Sequence, residues 1–194
     1  SDQALKRSAI FFPLVGVIVG SLIALSFFVA NLVWSTPVAV VLALSIGFLV
    51  TGGFHEDGWA DTFDGLGGAF ERDKKLAIMT DSRLGTYGSL ALWSLLMIKT
   101  VTLIELLPQT GAWAFIIVHG LSRWASMSAM VWLPYVRTAP SKAKPVVQQL
   151  SLSRWLVALL FVLPALYFIP PITTAALFAT GFAITLLWHL LLKR

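Results

Sequence analysis

Apolar residues fill this chain in long stretches without a short period, at about 10–34, 37–50, 89–107, 112–133, 155–169 and 172–192. A helix needs ~20 apolar residues to cross a bilayer, and a helix apolar all round must be covered on every side by lipid or protein. The pattern predicts an all-α, polytopic integral membrane protein with about six transmembrane helices plus short interfacial ones. Gly16 and Gly20 in the first stretch have small-xxx-small spacing, which predicts close packing on a neighbouring helix. The second stretch leads without a break into the polar segment 51–88, so its helix is expected to continue across the membrane surface. Residues 69–80, AFERDKKLAIMT, read as an interfacial helix with Glu71 and Lys75 at i,i+4. Short turns are expected at 35–37, 108–111 and 169–171, and a basic, proline-punctuated loop from Pro134 to Pro145. Internal repeats and a soluble domain are both lacking, so 1–194 reads as a single transmembrane domain.

Composition supports the pattern. Of the 194 residues 58% are hydrophobic and only 12% charged, which is a membrane composition. With no cysteine, disulfide and thiolate chemistry are excluded. The net charge of +5 does not point to nucleic acid, because the basic residues sit in short clusters between apolar stretches. All but two of the fourteen lysines and arginines fall on one side if six helices alternate, and the three short turns on the other side carry no charge. The positive-inside rule makes the charged side the cytoplasm. The chain opens on Ser1, and its first apolar stretch is too long for a cleaved signal peptide.

Seven of the nine carboxylates lie between Glu56 and Asp81. Asp57, Asp61 and Asp64 stand at i, i+4 and i+7, so a helix lines them on one face. Like charges at that spacing repel, and no Lys or Arg lies within the stripe. Solvated surface is the ordinary explanation of an acidic face. Against it, surface helices mix Glu with Lys, whereas Asp is a poor helix former and glycines punctuate this segment. A divalent cation between the carboxylates accounts for the row, and oxygen donors with a single nearby histidine, His55, favour Mg²⁺ with Mn²⁺ as its substitute.

Lys99 and Arg123 fall inside apolar stretches. Lys99 lies eleven residues past Gly88 and Arg123 eleven before Pro134, which puts each roughly 16 Å below the cytoplasmic boundary. Intramembrane charges face a polar cavity or a partner. Both readings stand: the pair lines a cavity, or it is structural, with Glu105 as the available counter-ion. His119, one turn before Arg123, reads as a packing hydrogen bond.

GGFHEDGWADTFDG from Gly52 to Gly65, followed by IMTDSRLGTYG from Ile78 to Gly88, is similar to the signature of the cobalamin synthase family. These are membrane-bound adenosylcobinamide-GDP ribazoletransferases, which perform the last assembly step of the vitamin B12 coenzyme. The likeness is dense over about 51–92 and thinner but collinear at Phe12 to Gly16, Lys99 and Ser122-Arg123. Glu56 and Trp59 replace apolar residues expected at those motif positions. Family members are expected to carry a further stretch before this start, and a Gly-rich GGxTGD segment after the final basic residues.

The resemblance implies a cytoplasmic catalytic segment over 51–88 and metal-dependent attack on a diphosphate. An acceptor oxygen of α-ribazole or its 5′-phosphate would attack the cobinamide-linked phosphorus of adenosylcobinamide-GDP and release GMP. Asp57, Asp61 and Asp64 would hold Mg²⁺, and one of them, or Asp81, would act as general base. Arg83 would clamp a phosphate oxygen, with His55, Lys99 and Arg123 as further substrate contacts. The glycines at 65–68 and 85–88 would let a bulky substrate approach the backbone. Two alternatives remain: a CDP-alcohol-type phosphotransferase of phospholipid synthesis, and a divalent-cation transporter. Against the first, Ala60-Asp61 stands where an Ala-Arg pair is needed. Against the second, the acids lie near the surface rather than at mid-membrane.

Overall fold

The computed structural model describes residues 8–133 and 150–192, and helices account for nearly all of them. No strand occurs among the described residues. The expected basic loop lies outside them.

A 3-10 turn at Ala9–Phe11 leads into α1 (Phe12–Asn31), and α2 follows at Thr36–Thr51. Pro37 sits in the first turn of α2, where a missing N–H costs nothing. The helix does not continue into the acidic segment. Gly52 and Gly53 have φ of 66° and 64°, a left-handed pair that side chains resist, and both amides fold back on the Phe48 carbonyl. The chain turns by 88° there into α3 (Phe54–Gly68).

The interfacial helix is shorter than expected, α4 at Arg72–Ile78, and Glu71 pairs with Lys74 at 3.1 Å rather than with Lys75. Helix α5 (Thr86–Thr110) carries on through Pro108 and stops at Gly111, whose φ is 57°. A proline one turn from a helix end breaks few backbone bonds, so the turn expected at 108 starts later. The fourth stretch forms α6 (Trp113–Ser126) and α7 (Ser128–Trp132).

The fifth stretch does not make one span. It divides into α8 (Leu152–Ala158), a 3-10 turn at Leu159–Phe161 and α9 (Leu163–Leu166). Pro164 lacks a donor and crowds the turn before it, which tightens the helix there. The last stretch is α10 (Pro171–Leu192).

Among the described residues three helical stretches are long and apolar enough to cross a membrane: Ala9–Asn31, Thr86–Thr110 and Trp113–Trp132. The bent pair α2 and α3 makes a fourth if it is one broken span, and Leu152–Phe161 and Pro171–Leu187 are shorter apolar helices. By length and composition the described residues thus supply three membrane-crossing helices, or four with the bent pair, where about six were expected. The membrane assignment itself stands on the surface: Leu49, Val33 and Leu32 are more than 70% exposed, and apolar exposure repeated over many helix turns suits lipid rather than water.

The described chain packs as two units, one built from residues up to Ala24 and from Ala112 onward, the other from Leu25–Gly111. In the first, α1 lies against α6 with almost no side chain between them. A Cβ on Gly20 would meet the Phe115 carbonyl oxygen at 2.6 Å, and one on Gly16 would strike that of His119. Small-residue spacing thus sets a backbone-to-backbone contact, as expected. Ala9, Met127, Met130, Leu150 and Ala158 form a buried cluster beside it. Trp124 and Trp155 stack at 4.3 Å, and each indole N–H donates to the other's backbone carbonyl, at 2.9 and 3.0 Å. The second unit packs α3 on α4 and α5, with α2 also touching α5.

Candidate active site

Helix α3 and the first half of α5 run antiparallel, and five contacts give their register. Near the C-terminal end of α3, the Asp64 carboxylate accepts the Gly85 amide at 2.7 Å and the Gly88 amide at 2.8 Å. The backbone of Ala60 lies over Gly88. The Trp59 indole donates to the Ala91 carbonyl at 3.1 Å. At the other end, the Lys99 ammonium donates to Glu56 at 2.6 Å. Going back along α3 from Asp64 to Glu56 covers about 12 Å of helix, and going forward along α5 from Gly88 to Lys99 about 16 Å. The acid-bearing helix therefore lies alongside the lysine-bearing span. It does not lie across its top, as the expected surface helix would.

This register divides the carboxylates into two sets. Glu56, Ala60 and Asp64, one turn apart, form the face of α3 toward α5, and Asp64 is only 8% exposed. Asp57 and Asp61 sit one position further round, Asp57 exposed and Asp61 half-buried. Gly58 between them has open space where a side chain would be.

Lys99 has a partner that lies 43 residues away in sequence and is not Glu105. The Glu56 side chain is 14% exposed and that of Lys99 37%, so the carboxylate is the more enclosed half of the pair. Glu56 and Trp59 are the two positions where the resemblance led one to expect apolar residues. Both turn out to be anchors of α3 on α5. Sequence reasoning gave neither a role, because their partners are 32 and 43 residues away in the chain.

Asp81 and Arg83 pair with each other in the turn before α5. Arg83 Nη2 donates to Asp81 Oδ2 at 2.6 Å, Nε reaches both carboxylate oxygens at 3.1 Å, and the Arg83 amide donates to Oδ1. The hydrogen-bonded guanidinium holds the Asp81 carboxyl below its ordinary range, and the carboxylate raises Arg83 in turn. His55 is exposed at the start of α3, with its ring edge-on to Phe54 at 5.9 Å. Arg123 belongs to the other unit, where Nη1 donates to the His119 carbonyl at 3.1 Å. His119 makes the expected packing bond, from Nδ1 to the Phe115 carbonyl at 2.8 Å.

The glycines at 65, 67, 85 and 88 have protein neighbours rather than open space. A Cβ on Gly65 would meet Met79 at 2.6 Å, one on Gly67 would press on the Tyr87 ring, and one on Gly85 or Gly88 would run into the Asp64 carboxylate. These positions permit close packing of α3, α4 and α5.

Among the described residues no three His, Asp or Glu side chains are grouped to hold an ion. Both Asp64 oxygens already accept amides. Asp57 and Asp61, one turn apart, fit the smaller requirement of Mg²⁺, which commonly takes one or two carboxylates and completes its shell with water and substrate phosphate.

The whole chain, residues 1–194, matches the cobalamin-5-phosphate synthase family. Among its curated relatives are three proteins named adenosylcobinamide-GDP ribazoletransferase. The one from Shewanella amazonensis is 47% identical over 77% of this chain and 59% of its own length. The one from Leptothrix cholodnii is 47% identical over 78% and 59%, and that from Shewanella baltica 44% identical over 81% and 61%. The chain thus spans about three fifths of the length of these relatives. No solved structure matches it significantly.

Proposed function

The chain belongs to the cobalamin-5-phosphate synthase family, and on that premise we propose that it takes part in joining α-ribazole, or its 5′-phosphate, to adenosylcobinamide-GDP. An acceptor oxygen forms a bond to the cobinamide-linked phosphorus, the phosphorus–oxygen bond to GMP breaks, and GMP leaves as an anion. The observation that carries this reading is the pair of an exposed Asp57 and a half-buried Asp61, one turn apart on a helix that Asp64, Trp59 and Glu56 fasten to α5. A bound Mg²⁺ would neutralise the diphosphate and the departing charge, with Asp57 and Asp61 as its protein ligands. Asp57, Asp61 or Asp81 would take the acceptor's proton, Asp81 once Arg83 has turned to the phosphate. Arg83 is the phosphate contact we favour, because it sits in a solvent-facing turn and can exchange one oxyanion partner for another. His55 would contact substrate from the start of α3.

Neither alternative draws support from the relatives' names. The test is GMP release by the purified protein in nanodiscs supplied with adenosylcobinamide-GDP, α-ribazole and Mg²⁺, beside a CDP-alcohol donor as control. Release should occur with the first donor alone. Turnover of the CDP-alcohol donor, or Mg²⁺ uptake into liposomes without any GMP, would point to one of the alternatives.

For placement we propose the bacterial inner membrane, with the α3 segment on the cytoplasmic side, on the strength of the uncharged turns opposite the basic clusters. Cysteines introduced at Ser35, Gln109 and Pro171 should react with an impermeant maleimide in intact cells, and one at Ser82 only after lysis. Labelling of Ser82 from outside reverses the orientation.

A further inference from the structure

We propose that Asp64 is a positioning residue: its carboxylate locks the register of α3 on α5 and thereby places Asp57 and Asp61 relative to the Asp81–Arg83 turn. The third acid of the row is the buried one, 8% exposed, and each of its oxygens has its own backbone donor. Those donors are not arbitrary. Gly85 is the N-cap of α5 and Gly88 lies in its first turn, where amides have no intrahelical acceptor and the helix end is positive. No side chain of Gly85 or any other local residue caps this terminus, so Asp64 supplies the cap from 21 residues away.

The glycines complete the argument. The three atoms that a Cβ on Gly85 would meet first are all in the Asp64 carboxyl group, and on Gly88 two of three are, the third being the Ala60 carbonyl. Gly-x-x-Gly at 85–88 and Asp64 therefore form one interlocking element: the acid needs the glycines absent of side chains, and the glycines need the acid for their amides. Arg83 stands two residues before this lock, so whatever fixes Gly85 against α3 also fixes the distance from Arg83 to the acids. The roles of Asp57, Asp61 and Arg83 rest on the function proposed above. The lock does not, and its test needs no substrate.

The experiment is a double-mutant cycle of Asp64→Ala and Gly85→Ala, read as thermal unfolding of the full chain in nanodiscs. Gly85→Ala should lower Tm by about 5 °C or more in the native background, on the usual scaling for chains of this size. In the Asp64→Ala background the same change should cost little, because the group it strikes is gone. Equal losses in both backgrounds, or no loss in the native one, overturn the proposal. Should Asp64→Ala not fold, Asp64→Ser gives the same cycle with a shorter side chain. In active preparations, Gly85→Ala and Asp64→Asn should lower the maximal rate while the Mg²⁺ concentration for half-maximal rate stays within about threefold. A rise of more than tenfold for Asp64→Asn alone would make Asp64 a metal ligand instead.

Discussion

Asp57→Asn and Asp61→Asn should each reduce GMP release by a factor of about 10² to 10⁴, the range lost when a general base or a charge that acts in the transition state is removed. Asp57 is exposed on α3, so its change should not lower Tm. Relieving a like-charge pair one turn apart should if anything raise it slightly. EDTA should abolish release and Mg²⁺ or Mn²⁺ restore it. Glu71→Gln and Asp73→Asn, on the exposed short helix α4, are the matched controls and should leave the rate within about twofold. If the controls and the test variants fall together, the acidic segment acts through its overall charge and the specific roles of Asp57 and Asp61 are lost. If Asp57→Asn and Asp61→Asn unfold the protein, these acids are structural.

The second large effect concerns the Glu56–Lys99 pair. Removing one partner of an enclosed ion pair leaves a charge without compensation and commonly costs ~3–5 kcal/mol, while replacing both by apolar groups is often neutral. Since Lys99 keeps 37% of its side chain exposed and Glu56 only 14%, Lys99→Met should be the more harmful single change. Partial exposure of the lysine puts the expected loss at the lower end, about 3 kcal/mol, a Tm drop on the order of 6–12 °C. Glu56→Leu should cost less, because the long lysine can move its ammonium toward a polar boundary. The double variant Glu56→Leu with Lys99→Met should recover most of the native Tm. Unfolding curves of the four proteins measure this directly. Additive losses would mean that the two charges are stabilised by other groups. A stable Lys99→Met variant with weakened substrate binding would instead make Lys99 a phosphate contact, the role first expected of it.

The class of the molecule was legible in the chain because lipid solvation imposes a requirement on composition that local context cannot override: long apolar stretches must become helices in which every backbone group is paired. The motif of 52–88 was legible for a related reason, since spacing along a single helix converts directly into shared direction. Asp57, Asp61 and Asp64 do lie on one continuous helix, α3, and Gly16 and Gly20 do bring two backbones together.

What the chain left open follows from the same physics. In a stretch that is apolar on all sides, no periodicity marks where a helix bends, so the turn at Gly52-Gly53 and the break before Pro164 appear only in three dimensions. Helical spacing equally says nothing about which part of a stripe another helix will cover. Only the packing of α5 decided that Asp64 is buried under Gly85 and Gly88 while Asp57, seven residues earlier on the same stripe, stays exposed. Glu56 and Lys99 met for the same reason. Their attraction depends on a distance between two helices, and that distance is set by the glycines and the capped end of α5, not by anything within reach of either residue in the sequence.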